Sequence, residues 1–410
     1  MTKKKIYLFE IFLMIYYAWF TLPVMRAVFD SSIFKLAFFA CFAIGCALII
    51  YEMWITDKRI KLSMTALVPV LIYMAFILIM ALFNIDDASK HVRISLTFWG
   101  TILVFFLLSD FEESKIRLGK FLLLLFVITA ITSAVGVITD NSAARAITDA
   151  RSDASEDYGL MVKNISGIYL FQGLVMFVPI LLSFAKGKFT IPCLIILAVI
   201  LFALISASFA ISILMFFIAV ALFFLFKKGG AIKQIILACL VIGVMFIPWV
   251  DILNYLARVI ENQTVASRIK EVSNFISQGD VSGDLALRIE CYEHSIKTFI
   301  QNPFGVGAHY SYVIGDNGIG YHSSLLDNLA RYGIFAIIFF VAFFVLYYKI
   351  VAMEWAKIGK RELAIPIVIV WVLFTALNLA FRSADESIVT LFIIPILPSV
   401  ILRFKERFSK

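Results

Sequence analysis

The sequence is short of charge. Only 16% of its residues are Asp, Glu, Lys or Arg, and 62% are hydrophobic, where soluble domains average about 25% charged. No water-soluble core absorbs that excess, so an ordinary globular domain is excluded and chain length does not count domains. Histidine is scarce, with four residues in 410, and the five cysteines, Cys41, Cys46, Cys193, Cys239 and Cys291, are scattered. Only Cys291 falls in an expected loop, so neither a disulfide framework nor a metal site follows. No small-residue cleavage site comes after the basic opening "MTKKKIYLFEIFLMIYYAWF", which therefore reads as a retained first span. Internal repeats and low-complexity tracts are also missing.

What the chain has instead is a succession of apolar windows of about 20 residues, each enough to cross a hydrocarbon core of about 30 Å. Spans are expected near 7–25, 33–51, 62–83, 96–109, 119–139, 165–184, 190–205, 209–226, 232–250, 324–348, 363–381 and 387–402. The expected fold is an all-α polytopic membrane protein of about twelve transmembrane helices, one integral membrane domain over 1–410. The net charge of +8 follows topology. Twelve spans put both termini on one side, where Lys and Arg concentrate, while the opposite side is net acidic. The positive-inside rule then makes both ends cytoplasmic, and nucleic acid is not an expected partner.

Two connections on the opposite side are long, 140–164 and 251–323. Loops of that length are usually functional or disordered. In the second, "DLALRIECYEHSIKTFI" sets Leu285, Ile289, Tyr292, Ile296 and Phe299 on one helical stripe. Asp284 is a candidate N-cap, and Pro303 and Gly305 of "NPFGVG" end the helix. The spacing predicts a folded external loop resting on the membrane or on the bundle.

The candidate functional residues cluster here. Arg288, Tyr292 and Ser295 fall on adjacent turns of that helix. "QNPFGVGAHYSYVIGDNGIGYH" follows, with five glycines that allow tight turns and close backbone approach. His322, Ser323 and Ser324 then open the span at 324–348, with Asp327 and Arg331 at i,i+4 spacing. His322 or Ser323 is the expected N-cap, and the positive helix end favours a neutral imidazole that can act as acceptor or base. Plainer readings stand beside these: His322 as an interfacial cap, Arg288 as a solvated partner of Asp284, and Asp327 with Arg331 as a structural ion pair. His294, on the face opposite Arg288, and His309, in the glycine-rich stretch, read as structural. Arg145 and Arg151 lie among Asp149, Asp153, Glu156 and Asp157, the mark of a solvated face, unless they turn to a phosphate that the guanidinium fork binds bidentately. Arg382 in "FRSADES" shares both readings. Polar groups at membrane depth default to function.

"LRIECYEHSIKTFIQNPFGVG" followed by "YHSSLLDNLARYGIFA" resembles the O-antigen ligase and repeat-unit polymerase superfamily, in which an arginine precedes a glycine-rich Asn-Pro turn and a histidine opens the next helix. Here these are Arg288, residues 302–307 and His322. The resemblance implies a C-type glycosyltransferase-like helical bundle with its site on the external face. It implies an undecaprenyl-diphosphate-linked oligosaccharide as substrate, attack of an acceptor hydroxyl on the anomeric carbon, and no metal or cofactor. By the same resemblance Arg288 holds the diphosphate and His322 orients or deprotonates the acceptor, with Tyr292, Ser323, Asp327, Arg331, Arg145, Arg151 and Arg382 as candidate substrate contacts. One departure stands out. A second arginine that the family carries between the spans near 190–205 and 209–226 is Phe209 in this chain's "LISASFAIS". One of Arg145, Arg151 or Arg382 is then left to make the second diphosphate contact.

The helix beginning "HSSLLDNLARYGI" looks more like the polymerase form, because ligases more often carry an acidic residue where this chain has Ser324 and Leu325. The leading expectation is polymerisation of a surface polysaccharide, O-antigen or capsule, in a bacterial plasma membrane beside a flippase and a chain-length regulator. A ligase delivering the glycan to a lipid core is the alternative. A lipid-linked-oligosaccharide flippase or other transporter is the second, although the two halves look unalike and the polar residues gather on one face. A scaffold without catalysis would have no use for Arg288, the glycine-rich turn and His322 in sequence.

Overall fold

A computed structural model describes residues 6–57, 100–140, 143, 147, 154–207, 209–227, 249–259, 263–279, 283–307, 319–320, 322–378 and 384–408. The expected spans at 62–83 and 232–250 lie essentially outside these residues, as do Arg145, Arg151, Arg382 and His309. Among the described residues every regular element is a helix.

α1 (Leu8–Thr21) starts where the Tyr7 amide donates to Glu10 Oε1, 3.2 Å away, which satisfies one of the orphan donors of a helix start. It stops at Leu22 because Pro23 opens α2 (Pro23–Val28), as its fixed φ and missing N–H suit a first helical position. The single span expected at 7–25 is therefore broken. α3 (Ser32–Asp57) and α4 (Gly100–Asp110) follow. α5 (Glu112–Thr139) carries Glu112 and Glu113 in its first turn, where the helix dipole favours acids. After α6 (Ala154–Val162), α7 (Tyr169–Met176) and α8 (Val178–Phe184) divide one apolar stretch at Phe177, with Pro179 in the first turn of the second piece. α9 (Thr190–Ser206) and α10 (Ala210–Phe226) form a hairpin. α11 (Trp249–Val259), α12 (Gln263–Gln278) and α13 (Gly283–Gln301) fill much of the long 251–323 connection.

The segment at 324–348 is not one helix. α14 (Ser324–Tyr332) ends at Gly333, and α15 (Ile334–Ala356) begins again in a new direction. Gly333 has φ +64° and ψ −152°, a region open essentially to glycine alone. α16 (Ala364–Leu377) returns to the level of α14. α17 (Ala384–Ile388) runs through a π-helical turn at Val389–Ile393 into α18 (Ile394–Phe408). The buried Tyr347 hydroxyl donates to the Thr390 carbonyl in that turn, 2.8 Å away. This satisfies an acceptor within a wide turn that a lipid-embedded helix must not leave bare.

Among the described residues five helices are long and apolar enough to cross a bilayer: Ser32–Thr56, Glu112–Thr139, Gly187–Ser206, Ile334–Ala356 and Glu386–Glu406. Shorter apolar helices cover Leu8–Thr21, Gly100–Asp110, Tyr169–Phe184 and Ile211–Phe226. The core between them is rich in aromatic rings. Trp371 meets Phe343, Phe344 and Tyr347 edge-on at centroid distances of 5.3, 5.5 and 4.7 Å. Other apolar side chains face outward, such as Ile191, Leu194, Ile195 and Phe202 along α9, a surface that hydrocarbon accommodates and water does not. The protein is a multi-pass α-helical membrane protein.

At the end where the chain begins, α1 is tied to α5. Arg117 donates Nε to Glu10 Oε2 at 2.8 Å and Nη2 to Oε1 at 2.6 Å, and Ser114 Oγ donates to Oε1 at 2.7 Å. Glu10 is buried, and the bidentate fork with the serine supplies the partners that a buried carboxylate requires. Arg403 of α18 pairs with Glu113 at the same end.

Candidate active site

The opposite end of the bundle gathers polar groups from three elements far apart in sequence. α13 presents Arg288, Tyr292 and Ser295 at i, i+4 and i+7, one face of a helix. His294 lies off that stripe, 3.6 Å from Glu290. Ser323 is the N-cap of α14: its Oγ accepts from the Leu326 amide at 3.2 Å. His322 immediately precedes the cap and is half-buried. The third element is the end of α16, which supplies backbone carbonyls.

These carbonyls hold the other two together. The Tyr292 hydroxyl donates to the Leu377 carbonyl at 2.7 Å, and the Ser323 hydroxyl donates to the Ala376 carbonyl at 2.6 Å. Consecutive residues thus anchor the phenol beside Arg288 and the hydroxyl beside His322. The Ser324 amide donates to the Asn378 carbonyl at 3.0 Å, continuing the same seam. Burial raises the Tyr292 phenol above its ordinary range while Arg288, hydrogen-bonded to it, works the other way. The phenol stays protonated at neutral pH and keeps donating to Leu377.

A second set of contacts joins α13 to α14 directly. Ser295 Oγ donates to Asp327 Oδ1 at 2.7 Å and accepts from the Gly320 amide at 2.9 Å, with both side chains buried. Gly320 passes so close to α13 that a Cβ there would overlap the Cys291 carbonyl. The Asn-Pro turn seals the far end of α14. The Val306 amide donates to Ala330 O at 3.1 Å, Gly307 to Arg331 O at 2.9 Å, and the Ile334 amide to Pro303 O at 2.8 Å. Val306 also packs with Ile319 and Ala330 in a small apolar cluster.

Of the sequence-derived candidates, Arg288, Tyr292, His322, Ser323, Asp327 and Arg331 therefore share one polar junction at the bundle end. Asp327 and Arg331 are both buried there. Arg288 keeps one buried nitrogen, Nη1, with no hydrogen-bond partner among the described residues. Phe209, where the resemblance led to an arginine, is buried in the main core at the break before α10. The contribution of α16 was missed. Asn378 is buried, and its Nδ2 has no partner among the described residues. Its only signal in the sequence is an asparagine closing an apolar run. Glu386, buried at the start of the last helical stretch, is a further carboxylate at membrane depth that the reading of "FRSADES" passed over. Among the described residues no group of three His, Cys, Asp or Glu side chains is placed to hold a metal ion.

Fold and site together define a polytopic membrane protein with a basic and hydroxyl-rich junction at one end of its helices. Residues 192–341, which contain that junction apart from the end of α16, match the family model described as O-antigen ligase. The match supports the O-antigen ligase and polymerase superfamily and does not favour polymerase over ligase. No curated protein matches the chain.

Proposed function

We propose that the protein is a glycosyltransferase of surface-polysaccharide assembly that joins undecaprenyl-diphosphate-linked oligosaccharide repeat units into a polymer. The acceptor hydroxyl oxygen forms the new bond to the donor's anomeric carbon as the bond from that carbon to the diphosphate oxygen breaks. The acceptor proton passes to the His322 imidazole, and the bonding pair leaves with undecaprenyl diphosphate. Arg288 takes the charge that grows on the departing diphosphate, a preorganised cation placed where negative charge develops. Its guanidinium fork suits two phosphate oxygens as an ammonium does not.

One observation carries this reading: the adjacent carbonyls of Ala376 and Leu377 anchor Ser323, next to His322, and Tyr292, which is bonded to Arg288. A base and a phosphate-binding cation are thereby presented at one end of the bundle. The site faces outward from a bacterial plasma membrane, with both termini in the cytoplasm, as the distribution of Lys and Arg favours. The chain works on substrate brought across by a flippase and beside a chain-length regulator.

The description of the matched family favours a second reading, in which the finished glycan passes to a lipid core. Both are tested with purified protein in proteoliposomes holding undecaprenyl-diphosphate-linked repeat units. Polymerase activity gives a ladder of products that disappears with His322→Ala and falls sharply with Arg288→Lys. Transfer only after a lipid-core acceptor is added makes the protein a ligase. Units that cross the bilayer unchanged in size, or a ladder indifferent to His322→Ala, overturn the proposal.

A further inference from the structure

The end of the bundle remote from the candidate active site holds a second concentration of positive charge. α15 runs 23 residues from Gly333, about 35 Å at 1.5 Å per residue. Beyond its far end, Lys360 lines a recess with Lys186, from the turn after α8, and Lys227, from the end of α10. The recess holds about 40 Å³, where a single water needs only about 10–15 Å³, so it admits a group of several heavy atoms. Ser183 forms part of its wall, and Lys360 Nζ donates to the Ser183 carbonyl at 2.6 Å and to its Oγ at 3.0 Å. The same ammonium stands 4.1 Å from the centroid of the Phe184 ring. Among the described residues the lining has one carboxylate, Glu362, against three lysines.

Positive-inside topology explains lysines in loops on this side, but not the convergence of three loops on one recess. Burial lowers the Lys360 pKa from its ordinary value, and the charges of Lys186, Lys405 and Lys227 push it the same way, against the opposing charge of Glu362. These ammonium groups repel one another across the recess, and an anion between them would relieve that repulsion. The remaining wall is apolar, with Phe223, Phe226 and Pro366. Phe226 is partly exposed where α10 leaves the bundle. Cation-lined polar space next to exposed aromatic surface at the end of a span is the chemistry of a lipid phosphate with its acyl chains alongside.

We infer that the recess lined by Lys186, Lys227 and Lys360 binds the phosphate of an anionic phospholipid on the side of the membrane opposite the glycan chemistry. The lipid would bridge α8, α10 and the turn before α16, adding to the link that Lys360 already makes to Ser183 of α8. The shared chemistry with a free phosphate ion is plain, and the lipid is favoured by the apolar wall.

The test uses the purified full chain in neutral detergent, titrated with phosphatidylglycerol or phosphatidylcholine and followed by thermal unfolding and native mass spectrometry. Phosphatidylglycerol should bind and raise the melting temperature, and phosphatidylcholine should not. The double variant Lys186→Gln/Lys227→Gln should weaken phosphatidylglycerol binding about thirtyfold, at roughly five- to sixfold per lysine. Its unliganded melting temperature and gel-filtration profile report whether it folds. The pair Lys188→Gln/Lys357→Gln removes the same charge but lines no part of the recess, and should weaken binding several-fold less than the recess pair. Equal loss in both pairs would mean diffuse surface attraction and overturn the site. So would equal binding of the two lipids, or displacement of the lipid by millimolar inorganic phosphate, which would make the ligand a free anion.

Discussion

Replacing Ser295 by alanine tests how the candidate active site is held together. Its hydroxyl makes two bonds inside a fully buried junction, donating to Asp327 Oδ1 at 2.7 Å and accepting from the Gly320 amide at 2.9 Å. A hydrogen bond to a charged group contributes about 1.5–3 kcal/mol and a neutral one about 1 kcal/mol. The alanine variant should therefore lose about 3 kcal/mol, most of it from leaving a buried carboxylate oxygen without that donor. SDS-titration unfolding in mixed micelles measures the loss. Hydrogen exchange in a peptide covering 319–320 locates it, because the Gly320 amide is released. Transfer activity should fall as well, since Gly320 lies two residues before His322. Ser277 gives the control, because among the described residues its hydroxyl bonds only to carbonyls one turn back, Ser273 at 2.8 Å and Asn274 at 3.3 Å, and Ser277→Ala should stay within about 0.5 kcal/mol. If Ser295→Ala unfolds like the control with unchanged exchange at Gly320, the junction is not organised as described.

Gly333→Ala should cost about 3 kcal/mol or prevent folding, because it combines a backbone region closed to alanine with a Cβ lying against the Pro303 carbonyl. A variant that melts with the parent would refute the tight seal between α14 and the Asn-Pro turn. Glu10→Gln should cost about 2 kcal/mol in the same unfolding assay. This is less than the 3–5 kcal/mol of a fully buried pair, because Arg117 is about a quarter exposed. It should leave polymer length unchanged, since the pair lies at the bundle end away from Arg288.

The apolar runs were legible because a span needs little more than hydrophobic length, and helices such as Thr190–Ser206 and Ala210–Phe226 fall within a residue or so of the expected limits. The breaks were less legible. Pro23 and Pro179 are visible in the sequence, yet apolar residues on both sides carried the periodicity through them. The Arg331-Tyr332-Gly333 end of α14 has the basic last turn and following glycine of a helix stop, masked by the run from Ile334. The π-helical turn in 389–393 has no sequence mark at all. At the site, Arg288 and Tyr292 were readable as neighbours at i,i+4, and Ser323 as a cap. The bonds from Tyr292 to Leu377 and from Ser323 to Ala376 span 85 and 53 residues, and no local pattern announces pairings of that kind.

The clamp around α14 has a consequence for how the chain can change. The backbone leaves the junction at Val306 and returns at Ile319, and both residues pack in the one cluster with Ala330. The stretch between them is stapled at its base. The entropy of closing a connection depends weakly on its length, about 0.6 kcal/mol for each doubling, so the packing of Val306 and Ile319 with Ala330 places few demands on how long the connection is. The fold thereby fixes the two ends of one connection against α14 and leaves its length as the variable that stability constrains least.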